Sequence, residues 1–148
     1  MARLISSSPW IALATAGENG TPSISYVPFA PVNGAFGIVV SRLAAHTANL
    51  LARRPAAVLL VDDDSAQPEA YARTRLSVDV SVTPNEPGST AAGAVWDALE
   101  RRHGETVSTL RLLPDFDAIS LEPRSGRLIL GFASAHDITG VAIKSLLC

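Results

Sequence analysis

Hydrophobic and polar positions alternate along several short segments of the chain, a pattern that predicts half-buried β-strands. The clearest case is 71–82, where valine and leucine occupy one face, while Arg73, Arg75 and serines occupy the other. Segment 56–61 is continuously apolar, which is typical of a strand covered on both faces. The strands predicted in this way cover 11–15, 22–27, 35–41, 56–61, 71–82, 116–122 and 127–133.

Glycine, proline and asparagine separate these strands and predict the turns. Asn19-Gly20 predicts a tight hairpin, 31–34 a second turn, and 123–126 the turn of a closing hairpin. Helical spacing predicts a helix from 43 to 51 that ends before Pro55. A second helix, 90–102, begins at Ser89 or Thr90 and ends near Gly104. About seven strands with two or three helices favour a small antiparallel barrel, and residues 1–148 are expected to form a single domain.

The composition of the chain limits the classes of partner and the cellular compartment that we expect for this protein. The chain has 148 residues, of which 47% are hydrophobic and 18% charged, and its net charge of −2 argues against nucleic acid as a partner. The uncharged stretch 19–41 contains too many glycines and prolines for a membrane helix, and the first residues do not fit a signal peptide. The single cysteine, Cys148, forms no intrachain disulfide, so we expect a cytoplasmic protein.

The candidate chemistry centres on the end of the strand 35–41. Ser41 and Arg42 lie where this strand turns into a helix, and a hydroxyl, a guanidinium and backbone N–H groups at a helix start are suited to a phosphate dianion. Arg73 and Arg75 share the polar face of another strand. We expect these three arginines to surround one anionic pocket, although Arg73 and Arg75 would equally suit a solvated face paired with acids.

The order of four blocks resembles a known family. The blocks are ALATAGENGTPSISYVPFAP, IVVSRLAAHTANLLARRPAAVLLV, ARTRLSV and DFDAISLEPRSGRLILGFASA. They are similar to the FMN-binding split-barrel proteins related to pyridoxamine 5′-phosphate oxidase, and within that family to the haem-utilisation subgroup of the HugZ type. The similarity extends from about residue 10 to residue 135, which is nearly the whole chain.

The resemblance implies a mainly β protein, an antiparallel split β-barrel that binds FMN as a homodimer, with the flavin sites where two barrels meet. It implies an FMN-dependent oxidoreductase of unknown substrate, with no catalytic residue assigned. The residues that match the family's flavin site are Ser41, Arg42, His46, Thr47 and Asn49 for the phosphate and ribityl chain, Arg73 and Arg75 for the barrel wall, and Tyr26, Val27 and Pro28 beside the isoalloxazine ring.

Two departures from the family pattern bear on the activity. Oxidase-type members commonly have lysine or arginine in place of His46, and they end in an arginine-rich segment, whereas this chain ends in VAIKSLLC. Oxidation of pyridoxamine phosphate is therefore not expected. Longer members of the haem subgroup carry a helical domain after the barrel, and only a short tail follows Ala135 here.

Two alternatives remain open. A haem-binding or haem-utilising protein would use the same barrel, with His136 as the candidate iron ligand, although His136 would also suit an ordinary histidine of a tail helix or loop. A storage module would bind flavin without turnover. No other metal is expected, since Asp62 to Asp64 are typical of a solvated turn. Trp10 and Trp96 are expected in the core or a dimer interface, and His103 at a helix C-terminus.

Overall fold

A computed structural model of the chain describes residues 1–62 and 69–148, and its centre is one antiparallel sheet. The strand order is β2-β1-β5-β6-β7-β4-β3, with β8 paired to β7. The strands are β1 (Trp10–Ala16), β2 (Pro22–Pro28), β3 (Ala30–Val32), β4 (Ala35–Ser41), β5 (Ala56–Val61), β6 (Arg75–Pro84), β7 (Phe116–Gly131) and β8 (Ser134–Thr139).

Five helices accompany the sheet in the described ranges. They are α1 (Ala2–Ser7), α2 (Ala45–Leu51), α3 (Thr90–His103), α4 (Glu105–Arg111) and α5 (Gly140–Lys144), with a 3-10 turn at Ala70–Ala72. The start of α3 is fixed by Ser89, whose hydroxyl accepts a hydrogen bond from the backbone N–H of Ala92 at 3.1 Å. Gly104, with φ of 78°, separates α3 from α4.

The sheet curls around a core made by alternate residues of its strands. In β6 the predicted inner residues Leu76, Val78, Val80 and Val82 are all buried. The two end strands of the sheet, β2 and β3, are consecutive in the chain but are not paired with each other, so the barrel is split and not closed. This is the mainly β split-barrel class that the resemblance implies. A second cluster, including Ala30, Trp96 and Ala118, packs α3 on the outside of the sheet.

The closing hairpin predicted at 123–126 is wrong. Strand β7 continues through these residues, with Pro123 opposite Val80 and Ser125 opposite Asp79, so that Arg124 is an extra residue in a β-bulge. The chain turns later, between Gly131 and Ser134, where Ala133 has a φ of 58°. Pairing along β6 therefore outweighs the local turn preference of proline and glycine, and it adds β8, which was not predicted.

Both ends of the chain complete the core. Leu4 and Ile5 of α1, Ile143 of α5 and Leu147 are almost fully buried with the barrel residues. The segment after Ala135 is therefore a strand and a helix packed on the barrel, and α1, α4 and α5 were not predicted. Helix α2 begins at Ala45, two residues later than expected. In the predicted solvated turn, Asp62 is described, whereas Asp63 and Asp64 lie outside the described residues.

Candidate functional site

The outer face of β1, β2 and β5 is apolar and exposed. Residues directly opposite in an antiparallel pair share a face, and Ala12 is opposite both Tyr26 and Leu59. The exposed fractions on this face reach 41% for Trp10, 67% for Tyr26 and 77% for Ile24. An exposed apolar sheet face of this kind is typical of an interaction or ligand-binding surface.

A cavity of about 740 Å³ opens at one end of this face. Trp10 and Tyr26 stack beside it, with ring centroids 5.4 Å apart and planes 13° from parallel. Its lining also includes the aliphatic side chains of Leu59 and Val61 and the guanidinium-bearing Arg73, with Ser7, Ser8, Pro9, Ala12 and Asp62. The stacked rings and aliphatic side chains are suited to a flat ring system, and the polar part of the lining, which includes Arg73, is suited to its acidic substituents.

Arg102 holds the rim of the cavity in place. Its guanidinium lies 4.5 Å from the centroid of the Phe29 ring and donates hydrogen bonds to three backbone carbonyls. These carbonyls belong to Ile5 at 2.9 Å, Ser6 at 3.1 Å and Ser8 at 2.6 Å, at the end of α1. Since the last carbonyls of a helix have no partner within it, Arg102 links α3 to the segment that borders the cavity.

The side chains predicted to hold a phosphate are engaged within the chain. The Thr47 hydroxyl donates to the Ser41 carbonyl, and the Ser41 hydroxyl accepts from the backbone N–H of Leu43 at 3.2 Å. The Asn49 amide donates to the Thr15 hydroxyl and accepts from Arg54, both at 3.0 Å. These contacts stabilise the turn into α2, so the polar groups of this block have a structural role in the single chain.

Arg42 is also paired within the chain. Its Nε and Nη2 donate to the two carboxylate oxygens of Asp117 at 2.9 and 2.8 Å, and Asp117 is buried. The hydrogen bond from Arg42, reinforced by its charge, holds the pKa of Asp117 below its usual value, while the same pair raises the pKa of Arg42. A bidentate pair of this kind fixes the loop between β4 and α2.

The single chain does not bring Arg42, Arg73 and Arg75 to one pocket, so that expectation is wrong for one chain. Ser41, beside Arg42, pairs with Phe116 at the start of β7, whereas Arg75 pairs with Ile129 near its end. About 13 residues of the curled strand β7 therefore lie between the two pairing positions.

The cavities agree with this separation. Arg42 lines a groove beside α3, Arg73 lines the Trp10 cavity, and Arg75 lines a hollow at the β7–β8 turn. Arg73 also precedes β6, which begins at Arg75. A flavin site with all three arginines would need two chains.

The three histidines lie in different places. His46 is half-buried at the start of α2, and this burial lowers its pKa. His103 contacts the Phe29 carbonyl through Nε2 at 2.8 Å, a bond between the end of α3 and the segment joining β2 to β3. His136 is exposed on β8, opposite the core residue Leu128, with its Nε2 3.0 Å from the Ser134 hydroxyl. No histidine lines the Trp10 cavity.

Strand β2 carries three predicted site residues. Val27 is buried opposite Ile11, so only its backbone is available to a ring, and β2 is an edge strand of the sheet. The side chains of Tyr26 and Pro28 are on the other face. Ser25, opposite the buried Leu13, shares the core face with Val27, and the described residues provide no hydrogen-bond partner for its hydroxyl. The Ser25 hydroxyl therefore faces the core and not the Trp10 cavity.

Residues 1–62 and 69–148 contain no group of three histidine, cysteine or acidic residues arranged to hold a metal ion, and Asp62 is in an ion pair with Arg3 at 2.6 Å. None of their helices has the length and apolar character needed to cross a bilayer.

A split barrel with a ring-sized cavity beside its edge strands defines the class of this protein. A family model described as pyridoxamine 5′-phosphate oxidase matches residues 1–130, so the chain belongs to the pyridoxamine 5′-phosphate oxidase family. Among curated relatives, the chain is 29% identical to haem oxygenase HutZ of Vibrio cholerae over 128 residues, which cover 86% of this chain and 73% of that protein.

Solved structures give the same picture. The structure of HutZ, described as a haem storage protein, matches with a TM-score of 0.77 and 26% identity over 82% of this chain and 86% of its own. Campylobacter jejuni ChuZ matches with a TM-score of 0.79 and 29% identity over 90% of this chain. The structure of a haem-binding protein of Mycobacterium smegmatis matches with a TM-score of 0.80 and 26% identity over 97% of this chain. The chain spans only 55% and 58% of these last two proteins.

Proposed function

We propose that this protein binds haem in the cavity beside Trp10 and Tyr26. The observation that carries the proposal is the composition of the cavity: a stacked aromatic pair and two aliphatic side chains beside Arg73, with the acidic residue of the lining, Asp62, paired with Arg3. The macrocycle of haem is flat and apolar, and its propionates are partners for a guanidinium such as that of Arg73. The similarity to HutZ, a haem oxygenase or haem storage protein, and to the mycobacterial haem-binding protein supports the same ligand.

The cavity provides contacts to the ring and its acidic substituents. When bound, haem supplies iron-centred oxygen and electron chemistry. Since His136 belongs to another face of the sheet, we do not assign it as the iron ligand of a haem in the cavity of its own chain. Trp10 and Tyr26 would hold the ring by stacking, and the rim of α1 would limit access of water.

A titration of the purified protein with haemin, followed by absorption spectroscopy, tests the proposal. The expected result is a Soret band that saturates at a fixed ratio of haemin to chain. A linear increase without saturation, equal to that of haemin in buffer, would contradict it. FMN is then added to the haemin complex. If FMN binds in the same cavity, the amount of displaced haemin increases with the FMN concentration.

We also propose that two copies of the chain associate through the exposed face of β1, β2 and β5. The side chains that would be covered include those of Ile24, Ala14 and Ala57, which share this face and do not line the Trp10 cavity. Burial of such side chains stabilises association by about 25 cal/mol for each Å² removed from water. Light scattering should give twice the chain mass, and the variant Ile24→Glu should give the mass of one chain. A single-chain mass for the unaltered protein would exclude the dimer.

The lone cysteine supports a cytoplasmic location for this function.

A second candidate function is an FMN-dependent oxidoreductase of unknown substrate. The observation that favours it is the match of residues 1–130 to the pyridoxamine 5′-phosphate oxidase family, together with the edge strand β2 that carries the segment 26–28. Tyr26 and Arg73 line the Trp10 cavity, while Ser41, Arg42, His46 and Thr47 would have to be supplied to the phosphate from elsewhere in a dimer. FMN, when bound, supplies one- and two-electron transfer.

Fluorescence quenching of FMN separates the two candidates. The oxidoreductase proposal expects saturable quenching, weakened in a Tyr26→Ala variant, and reduction of the bound flavin by a nicotinamide donor. Saturable haemin binding without FMN quenching would leave haem as the ligand of the cavity and exclude the flavin. Because the same protein sample is used for both titrations, a misfolded preparation is recognised by failure of both.

A further inference from the structure

A second cleft, of about 490 Å³, lies at the opposite end of β5 and β6 from Arg73. Its walls are the residues that follow α2, the start of β5, the end of β6 and the bulge of β7. Three arginines line it: Arg53, Arg54 and Arg124. We propose that this cleft, here called the arginine groove, binds a phosphate dianion carried by a small molecule.

Two irregularities of the backbone direct arginines to the groove. Arg53 has a φ of 53°, the left-handed region that residues other than glycine and asparagine seldom adopt. Arg124 is the extra residue of the β7 bulge, and bulges commonly re-aim a side chain. Residues held in sparsely populated backbone conformations cluster at binding sites. Here two such features, far apart in the sequence, provide guanidinium groups to one cleft.

Hydrogen bonds to neighbouring side chains hold Arg54 and Arg124 in the groove. Arg54 donates to the Asn49 amide oxygen at 3.0 Å, and the same amide donates to the Thr15 hydroxyl at 3.0 Å. Because Asn49 is buried, this chain of hydrogen bonds anchors Arg54. Arg124 donates to the Ser81 hydroxyl at 3.4 Å, which places a further polar group in the lining.

The charge balance of the groove indicates the class of ligand. Within the described residues, none of the three guanidinium groups is in an ion pair with a carboxylate. Asp79 is the one acidic residue of the lining, and its carboxylate accepts a hydrogen bond from Ser125 at 3.1 Å. Three cations and one anion leave a local charge of about +2, which a phosphate dianion neutralises through bidentate hydrogen bonds.

The test follows amide and arginine side-chain signals by NMR at low ionic strength. The probes are inorganic phosphate and glucose 6-phosphate. The expected result is saturable shifts confined to residues 53–56, 79–82 and 124. Tighter binding of glucose 6-phosphate would support a phosphate ester as the occupant, and equal affinity would support free phosphate in the same groove. Shifts that fail to saturate, or that are spread over all exposed arginines, would overturn the proposal.

The variants are Arg53→Asn and Arg124→Gln. Asparagine tolerates the left-handed conformation of residue 53, so the first variant removes the guanidinium without a new backbone strain. Each variant should weaken phosphate binding about tenfold, equivalent to about 1.4 kcal/mol. Arg127→Gln is the matched control, because Arg127 is on the same strand but is paired with Asp137 at 2.7 Å outside the groove. Equal affinities for the variants and this control would contradict the assignment.

Discussion

Arg42 and Asp117 form a bidentate ion pair that joins the loop after β4 to the first residues of β7. The carboxylate is 8% exposed, whereas the arginine side chain is 54% exposed. The buried partner thus depends on the exposed one, since an unpaired carboxylate in that position would be costly. The pair explains why Arg42, expected to hold a phosphate, is committed to the fold of its own chain.

The Asp117 pair predicts a pH dependence of stability. Because Arg42 lowers the pKa of folded Asp117, the contribution of this carboxylate is present above the unfolded pKa, about 3.9. It is lost as the pH falls through the lower folded pKa. Urea unfolding from pH 7 to pH 2 should show the unaltered protein more stable than Asp117→Asn at pH 7, with the difference decreasing below pH 4. A difference independent of pH would show that the charge of Asp117 does not matter.

The hydrogen bonds of Arg102 predict that α3 stabilises the end of α1 at the cavity rim. Replacing it with alanine leaves the last carbonyls of α1 without their donor, so the free energy of unfolding should fall by about 1–3 kcal/mol. Hydrogen exchange should accelerate at residues 2–9. Arg101→Ala is the control, because Arg101 is the exposed neighbour on the same helix. If both variants exchange alike at residues 2–9, Arg102 does not position the rim.

Replacement by alanine is predicted to have opposite effects on stability at two glycines, Gly140 and Gly93. A Cβ on Gly140 would lie 2.5 Å from the carbonyl oxygens of Pro123 and Arg124, so Gly140→Ala should displace α5 and lower the melting temperature. A Cβ on Gly93, within α3, meets no atom within 4 Å. Gly93→Ala should therefore stabilise the protein by up to about 1 kcal/mol. Equal effects of the two substitutions would contradict the packing of α5 on β7.

His46 provides a reporter for the flavin candidate. Because burial lowers its pKa, the folded protein disfavours its protonation. The contribution of neutral His46 to the free energy of unfolding is present above the unfolded pKa of about 6.5. This contribution is lost as the pH falls through the lower folded pKa. An NMR titration should give a midpoint below 6.5 for His46. A phosphate bound beside it would raise that midpoint, so an unchanged midpoint with saturating FMN would remove His46 from the flavin site.

Much of the fold follows from local sequence patterns. Strands β4 and β5 have the predicted bounds, and α3 is capped by Ser89, one of the two predicted starts, because hydrophobic patterning and capping are local signals. At Pro123 and Gly126 the local signal was misleading, since pairing with β6 outweighs it. Helices of five to seven residues, such as α1 and α5, are too short for a clear helical period.

The site was less predictable than the fold. The sequence indicates that Thr47 and Asn49 are polar, but only the structure shows that the Ser41 carbonyl and Thr15 engage them. Trp10, expected in the core or an interface, is exposed on the outer face of the single chain, where the β1–β2 register places it diagonally from Tyr26. Trp96 is on the buried side of α3, in the cluster that packs this helix on the sheet. A diagonal contact depends on register, which composition and spacing do not define.

The most direct test of the haem proposal compares haemin affinities of three variants by absorption titration. Trp10→Ala and Tyr26→Ala remove the stacked pair, and Val141→Ala removes an exposed side chain of α5 that does not line the cavity. We expect the first two variants to bind haemin at least about tenfold more weakly, a loss of about 1.4 kcal/mol, and Val141→Ala to bind like the unaltered protein. Equal affinity in all three would show that haem does not bind in this cavity.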